Sequence, residues 1–291
     1  MIPSDIDLDG ALKRLHLAHM RRLYREVAAK AEAEGWSHRD FLAVLAAEEV
    51  ALRKQTGIQK RTRDARFPFL KTIEEYDFTL RTSLRLTLFG SFLSPDFITD
   101  GRSLILHGKT GRGKTHLAIA IAYRAIQNGF QARFISCAEL VESLSVAGRE
   151  GRLQPALHDL THVDVLVIDE LGYLTHGPDA ANVLFHVVQA RHLKKKPIVF
   201  TTNKLPRDWG RVLHDPDLAE TIVDRTLGRG GRFIQIDGPS GRTGHLDAET
   251  RALVSAADDR ISGRSATDFP EPAGTNSGMH RHLPVVGTSS C

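Results

Sequence analysis

The chain has 291 residues, 41% of them apolar and 25% charged, which is typical of a globular protein rather than a disordered or fibrous one. Its two cysteines, Cys137 and Cys291, are too few for a disulfide framework or a cysteine-rich metal site, and they fit a reducing compartment. The formal net charge is +4, and no apolar run is long enough to span a bilayer. We therefore expect a cytoplasmic protein with no membrane partner.

The N-terminal part of the chain is predicted to be helical. Apolar residues between Leu12 and Val27 recur at three- and four-residue steps, and Gly35 ends this helix. A second helix begins after Ser37, with Asp40 three residues further on as the partner in a capping box. Two amphipathic helices predict a small helical domain, which we expect to cover residues 1–71.

Positive charge is concentrated between Arg53 and Lys71. This segment holds seven Lys or Arg and one acid, a net charge of +6, whereas the whole chain carries only +4. Such a local excess is typical of a surface that contacts nucleic-acid phosphates, although a solvated helix face coated with cations would have the same sequence pattern. The predicted DNA-binding residues are Arg53, Lys54, Lys60, Arg61, Arg63 and Arg66.

Pro95 and Gly101 predict that residues 72–100 form an irregular linker. A complete P-loop motif follows this segment. Gly108, four further residues and then Gly113-Lys114-Thr115 match the pattern GxxxxGK[ST]. An apolar strand precedes the loop and a helical pattern follows it, as the motif requires. The match therefore predicts a nucleotide site.

Each residue type in this loop has a chemical purpose. The glycines let the backbone turn and bring bare N–H groups to the phosphates. Lys114 places a cation against the terminal phosphates, and the Thr115 hydroxyl ligates Mg²⁺. The helix that opens at Lys114 also points its positive end at the anion. The predicted ATP contacts are Gly108, Lys109, Thr110, Gly111, Arg112, Gly113, Lys114, Thr115, His116 and, far along the chain, Arg242.

Acidic and amide side chains end the next two predicted central strands. The run Val163 to Ile168 is apolar and β-branched, as in a buried strand, and Asp169-Glu170 follows it directly. This is the form of a Walker B strand, in which Asp169 holds Mg²⁺ and Glu170 orients or deprotonates the attacking water. Asn203 ends the following strand, where its amide would lie beside the γ-phosphate, unless it only forms an Asx turn.

Arg225 is predicted to act as an arginine finger on the nucleotide of a neighbouring subunit. The alternatives are an ion pair with Asp224 or Glu220 on its own surface, and a finger role for Arg229 or Arg232 instead. The predicted catalytic residues are thus Lys114, Glu170, Asn203 and Arg225.

Two further patterns resemble functional motifs. His158 and His162 have the spacing of the zinc pattern HExxH, but Asp159 stands where the catalytic glutamate belongs, so a connecting helix explains them. The run from Gly228 to Arg232 resembles an arginine-glycine patch, yet it occurs once, and we interpret it as a flexible connection between a helix and a strand.

Strands that alternate with helices predict a parallel sheet with helices on both faces, an α/β fold of the P-loop NTPase class. We expect this ATPase domain to cover residues 101–247. Ser, Thr, Gly, Asp, Arg and Pro dominate residues 248–291, which predicts a disordered tail.

The sequence resembles the IstB-like ATPases, helper proteins of IS21-type transposons that are related to DnaC and DnaA within the AAA+ class. The similarity covers about residues 8–245. It is carried by the P-loop with Thr115-His-Leu-Ala, by Ile168-Asp-Glu-Leu-Gly-Tyr173, by Thr202-Asn203 and by Asp224-Arg225. The run Lys194-Lys-Lys196 departs from the family, which has a more mixed stretch there.

The resemblance implies an Mg²⁺-dependent ATPase that self-assembles on double-stranded DNA and helps an IS21-type transposase to use its target. It assigns Walker B roles to Asp169 and Glu170, the first sensor to Asn203 and the finger to Arg225. Two other functions remain open at this point: a helicase loader of the DnaC kind acting in replication, and a nucleotide-binding protein without turnover.

Overall fold

The computed structural model describes residues 7–79, 86–172 and 179–238, with the side chains of residues 86–88 excepted. The predicted ATP contact at Arg242 and the predicted tail, 248–291, lie outside these residues. None of the helices described could cross a membrane. The helices and strands, in chain order, are α1 (Leu8–Arg14), α2 (Ala18–Glu34), α3 (His38–Asp64), α4 (Leu86–Leu93), α5 (Asp96–Thr99), β1 (Leu104–His107), α6 (Lys114–Gln127), β2 (Ala132–Ser136), α7 (Cys137–Arg149), α8 (Leu153–His162), β3 (Val165–Leu171), α9 (Ala180–Leu193), β4 (Ile198–Thr202), a 3-10 turn (Pro206–Asp208), α10 (Trp209–Leu213), α11 (Pro216–Leu227) and β5 (Arg232–Gln235).

The first predicted helix is two helices in the structure. A break between α1 and α2 places His16 at a φ of 56°, outside the helical region. No side chain next to the start of α2 caps this helix. Instead, Glu49 of α3 accepts hydrogen bonds from the backbone N–H groups of His19 and Met20. Two predicted helix boundaries are confirmed. Gly35 ends α2, and the Ser37 side chain caps α3 by accepting a hydrogen bond from the Asp40 N–H at 3.2 Å.

The five described strands are all parallel and lie in the order β2-β3-β4-β1-β5. The P-loop strand β1 and the Walker B strand β3 are therefore separated by β4. Because all strands run the same way, the loops after β1, β3 and β4 meet at one edge of the sheet, its carboxyl edge.

The sheet buries both faces, since its side chains alternate between two apolar clusters. On β1, Ile105 packs with the cluster of α7, α8, α9, α10 and α11, while Leu104 and Leu106 pack with that of α4, α5 and α6. On β3, Leu166 and Val167 divide between the two clusters in the same way.

Residues 72–100, which the sequence predicted to be an irregular linker, include two helices. Within their described part, α4 and α5 form, and Phe89, Phe92 and Phe97 are buried in the core beneath α6. Pro95 does not disrupt this packing, because it precedes the first turn of α5, where its missing N–H costs no hydrogen bond. Burial of three large aromatic side chains is favourable, and this burial stabilises the packing of the segment against the core.

Helix α3 is tied to the same sheet. It contacts α6 and β2, and Ala65, the residue after it, is completely buried. The Ala65 carbonyl accepts a hydrogen bond from the Phe134 N–H of the edge strand β2 at 2.8 Å. The basic end of α3 thus has a fixed position beside β2, while a domain boundary at residue 71 stays a prediction.

Candidate nucleotide site at the carboxyl edge of the sheet

Two glycines of the P-loop have other parts of the chain packed closely against them. The Gly108 N–H donates to the Thr202 carbonyl of β4 at 3.1 Å, and a Cβ at Gly108 would lie 2.5 Å from the Ile236 carbonyl oxygen. Gly113 has a φ of 82°, and a Cβ there would lie 2.7 Å from the Tyr76 ring. A side chain at either position would displace the loop.

Lys114 points into its own loop. The residue is only 5% exposed, and its Nζ donates to the Lys109 carbonyl at 2.9 Å. An ammonium group is rarely buried unless an anion or several acceptors surround it. Its place among the loop's N–H groups at the start of α6 matches the need of a polyphosphate.

Thr115 and Asp169 meet although 54 residues separate them in sequence. The Thr115 hydroxyl lies 3.0 Å and 3.1 Å from the two carboxylate oxygens of Asp169, and the Thr201 hydroxyl donates to the same carboxylate. Burial raises the pKa of Asp169, and the hydrogen bonds from Thr201 and Thr115 and the charge of Lys114 oppose that shift. A buried carboxylate beside a threonine hydroxyl is the donor pair that Mg²⁺ takes in P-loop proteins.

Glu170 is held out of the sheet by a strained backbone. Its φ is 62°, and the register of β3 against β4 shifts between Ile168 and Leu171. This bulge leaves the Glu170 side chain exposed, while its N–H donates to the Thr201 hydroxyl at 2.9 Å. The Glu170 carboxylate consequently faces solvent beside Asp169 rather than the sheet interior.

Asn203 has an amide oxygen without a partner. This Oδ1 is buried and accepts no hydrogen bond from any described residue. An Asx turn would use that oxygen as its acceptor, so the structure does not contain the alternative that the sequence left open. A Cβ at Gly172, which has a φ of 93°, would lie 3.5 Å from this oxygen, so the ends of β3 and β4 are in contact.

The sequence analysis did not identify Thr201 or Tyr76 as site residues. Thr201 is completely buried and binds both Walker B residues, as described above. The signal was present, since a threonine in an otherwise apolar central strand needs hydrogen-bond partners. Tyr76 donates to the Arg112 carbonyl at 3.3 Å from a segment with no recognisable motif.

Two histidines flank the loop. His116, a predicted ATP contact, has its ring edge-on to Tyr76, and its Nε2 lies 2.9 Å from the Thr72 carbonyl, so its side chain belongs to the segment before the P-loop. His107 ends β1, stacks on Phe233 and has no hydrogen-bond partner for Nδ1 among the described residues. Burial lowers the pKa of both imidazoles.

Arg225 does not reach the P-loop of its own chain. It lies in the last turn of α11, and its guanidinium stacks over the Phe185 ring of α9 at 4.6 Å. Its Nη1 is buried without a partner, and it forms no ion pair with Asp224 or Glu220, which were the alternatives for this side chain. The finger role stays a prediction.

The predicted DNA-binding residues differ in their surroundings. Arg53 is engaged in the fold, since it pairs with Glu49 at 2.9 Å and donates to the His16 carbonyl at 2.7 Å. The exposed residues of the set, besides Arg53, are Lys54, Lys60, Arg63 and Arg66, whereas Arg61 is half-buried. Arg53 and Lys60 are seven residues apart, as are Lys54 and Arg61, so each pair lies on one side of α3.

The zinc-like pattern has no structural support. His158 and His162 stack on each other on α8 with ring centroids 5.2 Å apart. In the described ranges, no three side chains of His, Cys, Asp or Glu are placed to hold a metal ion.

The residues at this edge fit Mg²⁺ and ATP. The P-loop is a cradle with no room for a Cβ, a buried ammonium group faces into it, and the buried Asp169 carboxylate adjoins Thr115. The residue set is the one that P-loop ATPases use.

Comparison with known proteins decides the family. The model of the IstB-like ATP-binding proteins matches residues 10–247. The chain belongs to this family. It is 33% identical over 221 residues to an insertion sequence IS21 protein of Pseudomonas aeruginosa named for ATP binding, covering 76% of this chain and 83% of that one. It is 36% identical over 214 residues to the corresponding IS5376 protein of Geobacillus stearothermophilus, covering 74% and 85%.

Two solved structures are also similar in fold. DnaI superimposes with a TM-score of 0.49 at 22% identity over 62% of this chain and 94% of that one. The DnaC helicase loader gives a TM-score of 0.46 at 22% identity over 52% and 88%. The parallel sheet, with its P-loop between β1 and α6 and helices on both faces, is the α/β P-loop fold that the sequence predicted.

Proposed function

We propose that this member of the IstB-like family is an Mg²⁺-dependent ATPase that assembles on double-stranded DNA and acts with a transposase. The observation that carries the hydrolytic part is the arrangement of β3: Asp169 hydrogen-bonds to Thr115, while the bulge turns the next carboxylate, Glu170, away from it. A site built only to bind nucleotide has no need of a strained, exposed glutamate at this place.

The residues divide the reaction between them. Lys114 and the N–H groups of the P-loop bind the phosphates, and Thr115 and Asp169 would hold Mg²⁺, which neutralises charge on the β- and γ-phosphates when bound. Glu170 orients a water molecule and accepts its proton as the water oxygen bonds to the γ-phosphorus and the bond to the ADP oxygen breaks. The unpartnered Asn203 Oδ1 can accept a hydrogen bond from this water, and the NH2 group of the same amide can donate to the γ-phosphate.

The test of hydrolysis is the substitution Glu170→Gln. We expect the variant to bind ATP as tightly as the wild type and kcat to fall by about a hundredfold or more, because only the proton acceptor is lost. Equilibrium binding of a fluorescent ATP analogue and steady-state phosphate release measure the two quantities. Wild-type turnover in the variant would remove Glu170 from the mechanism and favour a nucleotide-binding protein without catalysis.

Assembly and DNA binding are supported by separate features. The buried Nη1 of Arg225 has no hydrogen-bond partner among the described residues, so this guanidinium still has a donor to offer to a neighbouring nucleotide. The exposed cations of α3, Lys54, Lys60 and Arg63, lie on a helix whose other face is fixed against the sheet. A rigid helix that presents several cations is suited to the DNA backbone, whose phosphates give affinity without sequence preference.

The inference of a transposase partner is supported by the family and by the relatives, whose names refer to insertion sequences. A helicase loader is the second function that the sequence allowed. An ATPase rate that rises on addition of duplex DNA alone, without a helicase, favours the transposition helper.

A further inference from the structure

Two cationic motifs that the nucleotide site does not use lie at the same edge of the sheet. Lys194-Lys195-Lys196 joins α9 to β4, while Arg229 and Arg232 flank the glycines between α11 and β5. Both connections enter their strands at the amino end, opposite the carboxyl edge that carries the P-loop. Since β4 and β5 both pair with β1, the two connections are separated by a single strand.

The turn before β1 ties these connections together. Ser103 accepts the Arg232 N–H on its carbonyl at 3.0 Å and the Ile198 N–H on its hydroxyl at 2.9 Å. Gly101 has a φ of 69°, and a Cβ there would lie 2.6 Å from the Lys195 carbonyl oxygen. The second connection is equally closely packed, because a Cβ at Gly231 would lie 2.3 Å from the Thr226 carbonyl. It is therefore not the flexible link that the sequence predicted.

Four cations at this edge have no acidic partner. Lys194, Lys195, Arg229 and Arg232 form no ion pair with any described residue, and the Lys194 ammonium group donates to the Thr161 hydroxyl at 3.2 Å. The neighbouring acids are already engaged, Asp100 with Arg102 at 3.3 Å and Asp164 with Lys196 at 3.4 Å. We call these four residues the second basic patch.

Lys195 occupies a backbone conformation that glycine would adopt at lower cost. Its φ is 54°, in the left-handed region, and its side chain is exposed. A residue with a Cβ adopts this conformation at a cost in free energy, and the exposed lysine side chain does not offset that cost by packing. A strained residue that contributes nothing to the core indicates a role for its side chain.

We propose that the second basic patch contacts the phosphate backbone of the duplex on which the protein assembles. The proposal rests on the proposed function, because α3 supplies the first contact. Helix α3 lies beside β2, three strand spacings or about 14 Å from β1 in the sheet, which is less than one turn of B-DNA at about 34 Å. The two basic surfaces are therefore close enough for one duplex to reach both.

The test is the variant Lys194→Gln/Lys195→Gly, with duplex binding of the full chain measured by fluorescence anisotropy across a salt series. We expect the slope of log Kd against log salt to fall by about two and Kd near 0.1 M salt to rise on the order of tenfold. Thermal stability should be retained, because glycine relieves the φ of Lys195. The matched control, Arg207→Gln/Arg211→Gln, removes the same charge from the segment after β4 at the carboxyl edge.

A third variant, Lys54→Gln/Lys60→Gln, separates this proposal from the one it rests on. A reduced slope in the α3 variant, with the wild-type slope in the patch variant, would overturn the second basic patch alone. Absence of duplex binding by the wild type would overturn both. Loss of ATP-dependent assembly without DNA, at an unchanged salt slope, would show that the patch serves a neighbour's nucleotide and would also reject the proposal.

Discussion

The hydroxyl of Thr201 links the two carboxylates that we assign to metal binding and to catalysis. It donates to the Asp169 carboxylate and accepts the Glu170 N–H, so one buried side chain sets both the orientation of Asp169 and the bulge that exposes Glu170. Its side chain is completely buried and so has no surface to offer to a nucleotide or to the attacking water. Thr201 is in this sense a positioning residue, whose effect on turnover passes through its neighbours.

We expect Thr201→Val to lower kcat by roughly tenfold to a hundredfold, in line with the loss of a partner that orients a metal ligand. The valine fills the same volume in β4 but leaves the Glu170 N–H without an acceptor. Phosphate release at saturating ATP measures the effect, and the apparent Mg²⁺ affinity should weaken with it. Thr201→Ser, which keeps the hydroxyl, is the control. Equal losses in both variants would mean that the methyl group, and not the hydroxyl, matters.

At the scale of secondary structure, the helices and strands of the ATPase core follow from sequence pattern. The predicted start of α6 at Lys114 and the predicted apolar strand that leads to Asp169 are both confirmed. These elements are well predicted because local signals agree: turn glycines, apolar periodicity and cap residues all indicate the same boundaries. The P-loop motif likewise predicts the loop that the structure contains.

The elements that the sequence missed depend on distant partners. Nothing near His16 predicts the break between α1 and α2, because the group that caps α2 is Glu49, 29 residues after Met20. The core position of Phe89, Phe92 and Phe97 depends on the surface that α6 provides. At the site, the bulge at Glu170 needs the Thr201 hydroxyl of another strand, so a sequence pattern can name the glutamate but not its orientation.

The junction of α2 and α3 gives a prediction of its own. Glu49 is 5% exposed and accepts the N–H groups of His19 and Met20, each at 2.9 Å, as well as the Arg53 guanidinium. Its pKa is lowered, chiefly by the hydrogen bond from Met20 and further by Arg53 and the His19 N–H, although burial opposes the shift. We expect Glu49→Gln to reduce the free energy of unfolding by about 1 kcal/mol at pH 7.

The pH dependence of this loss has a definite sign. Because the folded chain holds Glu49 ionised below the ordinary pKa of 4.5, the unfolded chain binds more protons in that range, and stability falls as pH falls. The difference between wild type and Glu49→Gln should thus be largest near neutral pH and shrink below about pH 4.5. Urea unfolding of both proteins at several pH values measures it. A difference that is constant with pH would contradict the assignment.

At the scale of the whole molecule, the position of Arg225 separates binding from turnover. The P-loop lies at the carboxyl edge of the sheet, whereas Arg225 lies in the last turn of α11, which leads into the amino end of β5. The proposed finger of one chain therefore lies away from the proposed nucleotide site of that same chain. If Arg225 acts in trans, two defective subunits can restore each other, because each active site takes Glu170 from one chain and Arg225 from the next.

We expect Glu170→Gln and Arg225→Gln each to be nearly inactive alone, and an equal mixture of the two to recover roughly a quarter of wild-type turnover per subunit, the share of interfaces that pair intact Glu170 with intact Arg225. ATPase measured against mixing ratio, with duplex DNA present, gives the curve. The double variant Glu170→Gln/Arg225→Gln mixed with Arg225→Gln has no intact finger and should show no recovery. Because Arg225 stacks on Phe185, the melting temperature of Arg225→Gln must first be shown to match the wild type. A folded pair of variants that recovers nothing would move the finger to Arg229 or Arg232, and recovery after substitution of one of these would identify which.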